Sequence, residues 1–176
     1  CAYLFCYDRV SGPFAGQVSE NPKGLVIDGA HIPFFNVSDL RQIDLSGVDI
    51  VLECTGRAQT AEIAGAGLAA GAASVLISGP SPAAEVTVVL GANEDELGNA
   101  RIVSNASCTT NAIAPLLNML DRAWGVERAH ITTVHCYTGS QPTVDQPTAN
   151  LERSRAAAVS MVPTSTSAAH QVTQVL

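Results

Sequence analysis

Charge is scarce in this 176-residue chain, and positive charge is scarcer still. Charged residues make up 14% of it, nine Lys and Arg stand against 16 Asp and Glu, and the formal net charge is −7. Lys and Arg form no cluster, so the electrostatic footprint of a nucleic-acid surface is absent. No apolar run approaches the ~20 residues of a membrane span, and no signal peptide is visible; neither nucleic acid nor membrane is an expected partner. No Cys-x-x-Cys pair occurs, and the five cysteines (Cys1, Cys6, Cys54, Cys108, Cys136) are odd in number and scattered. That pattern calls for no metal and fits a reducing, cytoplasmic setting in which most of them serve as small buried hydrophobes. Internal repeats and low-complexity tracts are also missing. What is present is apolar: 47% hydrophobic residues, enough to fold and to build one ordinary domain with a sizeable core, or pieces of two. The first residue is Cys1, and the last segment reads as the middle of a helix without a stop signal. The expectation is an internal piece of a longer protein.

Along the chain, two short β-prone runs within 23–35 flank Asp28-Gly29, a hairpin signal. Val48–Cys54, Ser74–Ser78, Val86–Leu90 and Ile102–Ser104 read as short buried strands. Thr60–Ala73, rich in Ala and Gly, reads as a helix packed closely on a sheet. Apolar strands alternating with a helix predict a parallel α/β sheet covered on both faces. Thr109–Trp124 carries Ile113, Leu116, Leu117 and Leu120 at helical spacing and is closed by Gly125, with Pro115 in conflict with an uninterrupted helix. Ala129–Tyr137 is β-rich, Gly139–Asn150 reads as a long functional loop, and Leu151–Val162 is ambiguous between elements. Thr164–Thr166 reads as a turn and cap before a helix over Ala168–Leu176.

The most informative block is Ser104–Asn111, Ser-Asn-Ala-Ser-Cys-Thr-Thr-Asn, placed between a strand-like and a helix-like run. A cysteine at a helix amino terminus loses its proton more readily, because free N–H groups and the helix dipole favour the thiolate. His135, 27 residues further on, supplies a candidate base for it. Alone, Cys108 reads as an inert buried cysteine and His135 as a satisfied core histidine; the polar block and the spacing shift both toward chemistry. His31, His130 and His170 have no such context.

These residues resemble the phosphorylating glyceraldehyde-3-phosphate dehydrogenase family. The likeness rests on Ala106–Asn111 and Thr132–His135, then on Tyr137-Thr138, Gln141, Asp145 and Pro147. It continues through Arg153–Ala158, Pro163–Thr166 and Ala168-Ala169. Upstream it takes in Glu53–Arg57, Ile77–Pro80, Tyr7-Asp8 and Gly12. The fold implied is the C-terminal part of a Rossmann-type NAD-binding domain over 1–107, lacking its first βαβ unit with the Gly-x-Gly-x-x-Gly turn, followed by the start of an α+β catalytic domain over 108–176.

By that resemblance, Cys108 attacks an aldehyde and His135 is its ion-pair partner and base. The chemistry is NAD-dependent oxidation of glyceraldehyde 3-phosphate coupled to its phosphorylation. Ser107, Thr109, Thr166 and Ser167 line the inorganic phosphate site, while Thr138 and Arg153 contact the substrate phosphate, Arg153 serving both. Thr55, Gly56, Arg57 and Ser78 form the second wall of the cofactor cleft. Pro147 leans toward NAD, with NADP open. The resemblance also implies a cytoplasmic homotetramer, and a 176-residue piece inactive by itself. Read without the family, Thr166 and Ser167 serve equally as helix caps and Arg155 as a surface residue.

Departures from the family pattern are Ala112 in place of a second cysteine, Ala58 in place of an aromatic residue (which opens one cleft wall), Pro142 in place of a basic residue, Ser167 in place of a glycine and Ser11 in place of a histidine. Competing readings are an erythrose-4-phosphate dehydrogenase, a cofactor-independent Cys–His acyltransferase or hydrolase, and a non-catalytic interaction protein.

Overall fold

In the computed structural model, which describes residues 1–176, backbone packing divides the chain into two units, 1–42 and 43–176. The first opens with a short helix, α1 (Ala2–Cys6), and a two-strand pair, β1 (Tyr7–Asp8) and β2 (Gly12–Pro13). An antiparallel meander follows: β3 (Val18–Asn21), β4 (Gly24–Ile27) and β5 (Ala30–Pro33). The turn joining β4 to β5 is Asp28-Gly29, with φ of 48° and 86°. Two positive φ values belong to the primed hairpin turns, whose twist matches the flanking strands, and the expected hairpin is present.

The second unit is built on a four-stranded parallel sheet of β6 (Ile50–Glu53), β7 (Ser74–Ile77), β8 (Val86–Thr87) and β9 (Ile102–Ser104), in the order β6-β7-β9-β8. Between β6 and β7 the expected helix is divided at Gly65 into α2 (Ala61–Ala64) and α3 (Ala66–Ala69); glycine is the weakest helix former after proline. Thr60 caps α2 by accepting the Ile63 N–H. This face of the sheet holds a core of Ala58, Ala64, Val75 and Ile77, with Val51, Leu68 and Ile102 packed against it. The opposite face is less covered than the apolar strands led us to expect: Ile50 and Leu52 on β6 are 55% and 65% exposed. Alternate residues of a strand face opposite ways, and an apolar run looks the same whether or not an element covers both sides.

Three more expectations change. The strand expected over Val86–Leu90 stops at Thr87, because buried Asn93 takes over the pairing: its Oδ1 accepts the Val89 N–H at 2.9 Å and its Nδ2 donates to the Thr87 carbonyl at 2.9 Å. Ala129–Tyr137 forms no strand. It is exposed throughout and no strand lies beside it; β-prone composition cannot by itself satisfy a row of backbone groups. None of the five cysteines is buried: Cys6 is half-buried and the others are exposed. Leu151–Val162 contributes only a 3₁₀ turn at Leu151–Arg153.

The helix α4 (Cys108–Trp124) begins one residue before the expected start and runs through Pro115. Its Ala114, with Ile113 and Leu117, packs on Val89 and on Val172 and Val175 of the last helix, α5 (Ala168–Val175).

Gly67 of α3 records how closely helix and sheet approach. A Cβ there would lie 2.9 Å from Val75 Cγ2 and 3.2 Å from Val51 Cβ. Gly67→Ala is therefore expected to destabilise by about 1–3 kcal/mol through overpacking, despite the ~1 kcal/mol that alanine normally gains over glycine in a helix. A fall in the urea midpoint at unchanged slope checks this; a higher midpoint would show slack between α3 and the sheet.

Candidate active site

Strands that run parallel end on the same edge of their sheet, and ligands of open α/β sheets bind beyond those carboxyl ends. Here that edge presents the turns after β6, β7 and β9. After β9 the chain is held tightly: the Asn105 N–H donates to the Ile77 carbonyl at 2.9 Å, and Ala106 takes a positive φ of 55°. That conformation is strained for a residue with a side chain, but the Ala106 methyl is buried in the core beside Val89 and Ala114. Ser107 then caps α4, its Oγ accepting the Thr110 N–H at 3.1 Å. Asn111 Nδ2 donates back to the carbonyls of Asn105 and Ser107 at 2.6 and 2.9 Å. The outcome is an exposed Cys108 as the first residue of a 17-residue helix.

His135 meets it from the irregular segment after α4. Its Nε2 lies 3.2 Å from Cys108 Sγ, and its Nδ1 lies 2.6 Å from the Cys136 carbonyl oxygen. A carbonyl only accepts, so Nδ1 carries a hydrogen and Nε2 is the nitrogen that exchanges a proton with sulfur. The hydrogen bond from His135 lowers the Cys108 pKa against the opposing effect of partial burial, with Thr109 adding to the lowering. The Cys136 carbonyl, followed by Cys108, raises that of His135. Each partner thus favours the charged form of the other.

An open cavity of about 960 Å³ surrounds the pair. Ser107, Thr109, Thr138, Thr166 and Ser167 line it together with Cys108 and His135. Thr166 and Ser167 divide their work. Thr166 Oγ1 accepts the Ala168 N–H at 3.1 Å and so caps α5, whereas the Ser167 hydroxyl makes no capping bond. Thr138 is fixed by Gln141, whose Oε1 accepts its N–H at 2.6 Å and its hydroxyl at 3.0 Å. Arg153 does not line the cavity; its guanidinium donates to Ser165 Oγ at 2.9 Å, and Ser165 does line it. Arg155 is engaged in an exposed ion pair with Asp145 at 2.9 Å.

Thr55, Gly56, Arg57 and Ser78 stand outside this cavity, exposed at the ends of β6 and β7. Their turn is organised by buried Glu53, which accepts both the N–H and the hydroxyl of Thr55. Thr55 Oγ1 in turn accepts the Arg57 N–H at 3.2 Å. Gly56 has a φ of 71°, and a Cβ there would meet nothing within 4 Å. An open glycine turn with two hydroxyls and a guanidinium fits the polar contacts a dinucleotide needs. Ala58 does not open a cleft wall as its place in the sequence suggested; it is 1% exposed and packed into the core under the sheet.

Sequence reasoning missed two features of this site. Thr110 is buried, and its hydroxyl donates to Gln171 Oε1 of α5 at 2.9 Å. The available signal was periodicity: Gln171 shares one helical stripe with Ala168, Val172 and Val175, all buried. The other missed element, the Cys136 carbonyl, is backbone and has no sequence signature.

The charge pairing predicts that Cys108 reacts with iodoacetamide well below the ordinary thiol pKa of ~8.5. His135→Asn should move its alkylation profile up toward that value. Peptide-resolved mass spectrometry is needed, since Cys1, Cys54 and Cys136 are exposed too. An unchanged profile would mean that the imidazole does not activate the sulfur.

The known proteins to which this chain is similar share one family. Residues 1–61 match the model of the glyceraldehyde 3-phosphate dehydrogenase NAD binding domain, and residues 107–176 match that of the C-terminal domain. The chain is 48% identical to glyceraldehyde-3-phosphate dehydrogenase of Xanthobacter flavus, the alignment covering 99% of the chain and 53% of that protein. It is 44% identical to the Pseudomonas aeruginosa enzyme (99% and 53%) and 43% identical to the Thermotoga maritima enzyme (97% and 52%). The chain spans about half the length of these curated relatives. With a cysteine on the helix amino end, an imidazole against it and both of the family's domain models matched, the chain belongs to the glyceraldehyde-3-phosphate dehydrogenase family.

Proposed function

We propose that the full-length protein oxidises glyceraldehyde 3-phosphate with NAD and inorganic phosphate to an acyl phosphate. The observation that carries this is the 3.2 Å contact between Cys108 Sγ and His135 Nε2 inside a hydroxyl-lined cavity. Cys108 acts as nucleophile: its thiolate adds to the aldehyde carbon, forming a C–S bond and an alkoxide. The Cys108 N–H at the start of α4 stabilises that oxyanion, and His135 Nε2 donates the proton that neutralises it. The same nitrogen then takes the hydroxyl proton back as the carbon is oxidised. Thr55, Gly56, Arg57 and Ser78 hold the cofactor, and a nicotinamide bound there supplies the hydride acceptor. The thioester left on Cys108 is attacked by phosphate oxygen, and the C–S bond breaks to return the thiolate.

Thr109, Thr166 and Ser167, with Ser107, form the inorganic phosphate site. Thr138 and Arg153 hold the phosphate of the substrate, Arg153 reaching it by releasing Ser165. The domain boundary we assign falls between Ser107 and Cys108. A homotetramer completes the reading, in a reducing, cytoplasmic setting with which the five free cysteines agree. No helix in the structure is long and apolar enough to cross a membrane. A cofactor-independent acyltransferase would leave the match to an NAD binding domain without a purpose.

NADH formation from glyceraldehyde 3-phosphate tests the proposal. It should require phosphate and disappear in Cys108→Ser; activity that survives without phosphate, or only with erythrose 4-phosphate or NADP, would overturn it in that respect. Arg153→Leu should raise the substrate KM by about tenfold or more, as loss of a charge-assisted contact does. An unchanged KM would leave Arg153 as a partner of Ser165 alone.

A further inference from the structure

Two hydroxyls at the amino end of α4 and one amide of α5 form a chain whose proton direction is fixed. Thr110 Oγ1 donates to Gln171 Oε1 at 2.9 Å. A threonine hydroxyl has one hydrogen, so Thr110 has none left for Ser107. The 2.7 Å contact between Ser107 Oγ and Thr110 Oγ1 must then be made by the Ser107 hydrogen. Ser107 Oγ meanwhile accepts the Thr110 N–H at 3.1 Å. The chain therefore runs from Ser107 to Thr110 to Gln171, and its end is well sealed: Thr110 is 0% exposed and Gln171 7%.

This has a chemical consequence at the cavity. Ser107 is the member of the chain that lines it, and with its hydrogen aimed inward it turns only a lone pair toward the space beside Cys108. A lone pair repels an anion and attracts a donor. From this geometry we infer that Gln171 is a positioning residue that withholds the Ser107 hydroxyl from inorganic phosphate. Phosphate is then held by the remaining hydroxyl donors, Thr109, Thr166 and Ser167, and binds more weakly than four donors would hold it. The inference rests on the phosphate site assigned above and reverses the expected part of Ser107 in it.

The test follows from the same hydrogen count. In Gln171→Met the Thr110 hydrogen loses its acceptor and turns to Ser107 Oγ, which frees the Ser107 hydrogen to face the cavity. Thr110→Val leaves Ser107 without its acceptor and frees it in the same way, with Gln171 retained in case the first variant folds poorly. The probe is inorganic phosphate, and the readout is the concentration that halves iodoacetamide alkylation of Cys108 in the full-length protein.

Both variants should need about tenfold less phosphate than the unsubstituted protein, the effect of one hydrogen bond to a charged group. Their melting temperature should fall, since a buried hydrogen bond is lost. A purely structural Gln171 would lower the melting temperature and leave the phosphate midpoint unchanged or raise it. If neither variant binds phosphate more tightly than the unsubstituted protein, the inference is wrong. The alkylation comparison needs neither NAD nor turnover, so absence of NADH formation would count against the dehydrogenase reading alone.

Discussion

The site depends on a constraint of strand direction. Because β6, β7 and β9 run parallel, their carboxyl ends fall on one edge, in the register Glu53 opposite Ile77 and Ile77 opposite Ser104. Segments separated by some fifty residues of chain thus deliver Thr55–Arg57, Ser78 and Cys108 to the same side. An antiparallel sheet would send alternate turns to opposite edges and separate Cys108 from Thr55–Arg57 and Ser78. The core that holds the register is made of small and β-branched residues, Val75 and Ile77 under Ala58 and Ala64. It lets α3 approach so closely that Gly67 has no room for a methyl group.

On this edge Cys108 and His135 are held by different means. Cys108 is placed rigidly, by a capped helix and by a turn whose one strained residue, Ala106, is anchored through its buried methyl. His135 lies in an exposed stretch without regular structure, its Nδ1 held by the adjacent Cys136 through the backbone carbonyl and, at 3.8 Å, the sulfur. A helix-anchored sulfur beside an imidazole held only by its sequence neighbour makes the sulfur–nitrogen contact the point at which the site is most easily disturbed. It also ties the charge of each group to the other, as the opposed directions of their pKa shifts show.

Much of this was legible in the sequence because the signals are local. Asp28-Gly29 announces its turn through backbone conformation, the apolar strands through length and punctuation, and α4 through helical spacing closed by Gly125. The block Ser104–Asn111 pointed to Cys108 as a candidate nucleophile through its own polar sequence. What could not be read depends on distant partners. Asn93 shortens β8 by hydrogen bonds that its sequence neighbourhood does not advertise. Ala129–Tyr137 has strand composition and no strand beside it. Ala58 looked like part of a cleft by its place after Gly56-Arg57, yet its side chain turns into the core. Arg153 reaches the cavity only through Ser165, and the hydroxyl chain to Gln171 spans 61 residues.

The central claim is that Cys108 and His135 form one charge-stabilised pair. Nitrogen-15 NMR of the His135 ring as a function of pH tests it most directly. The account predicts an Nδ1-protonated imidazole that keeps its second proton, on Nε2, to a higher pH than an ordinary histidine, and that loses part of this gain in Cys108→Ser. An imidazole that titrates identically with and without the sulfur would contradict it.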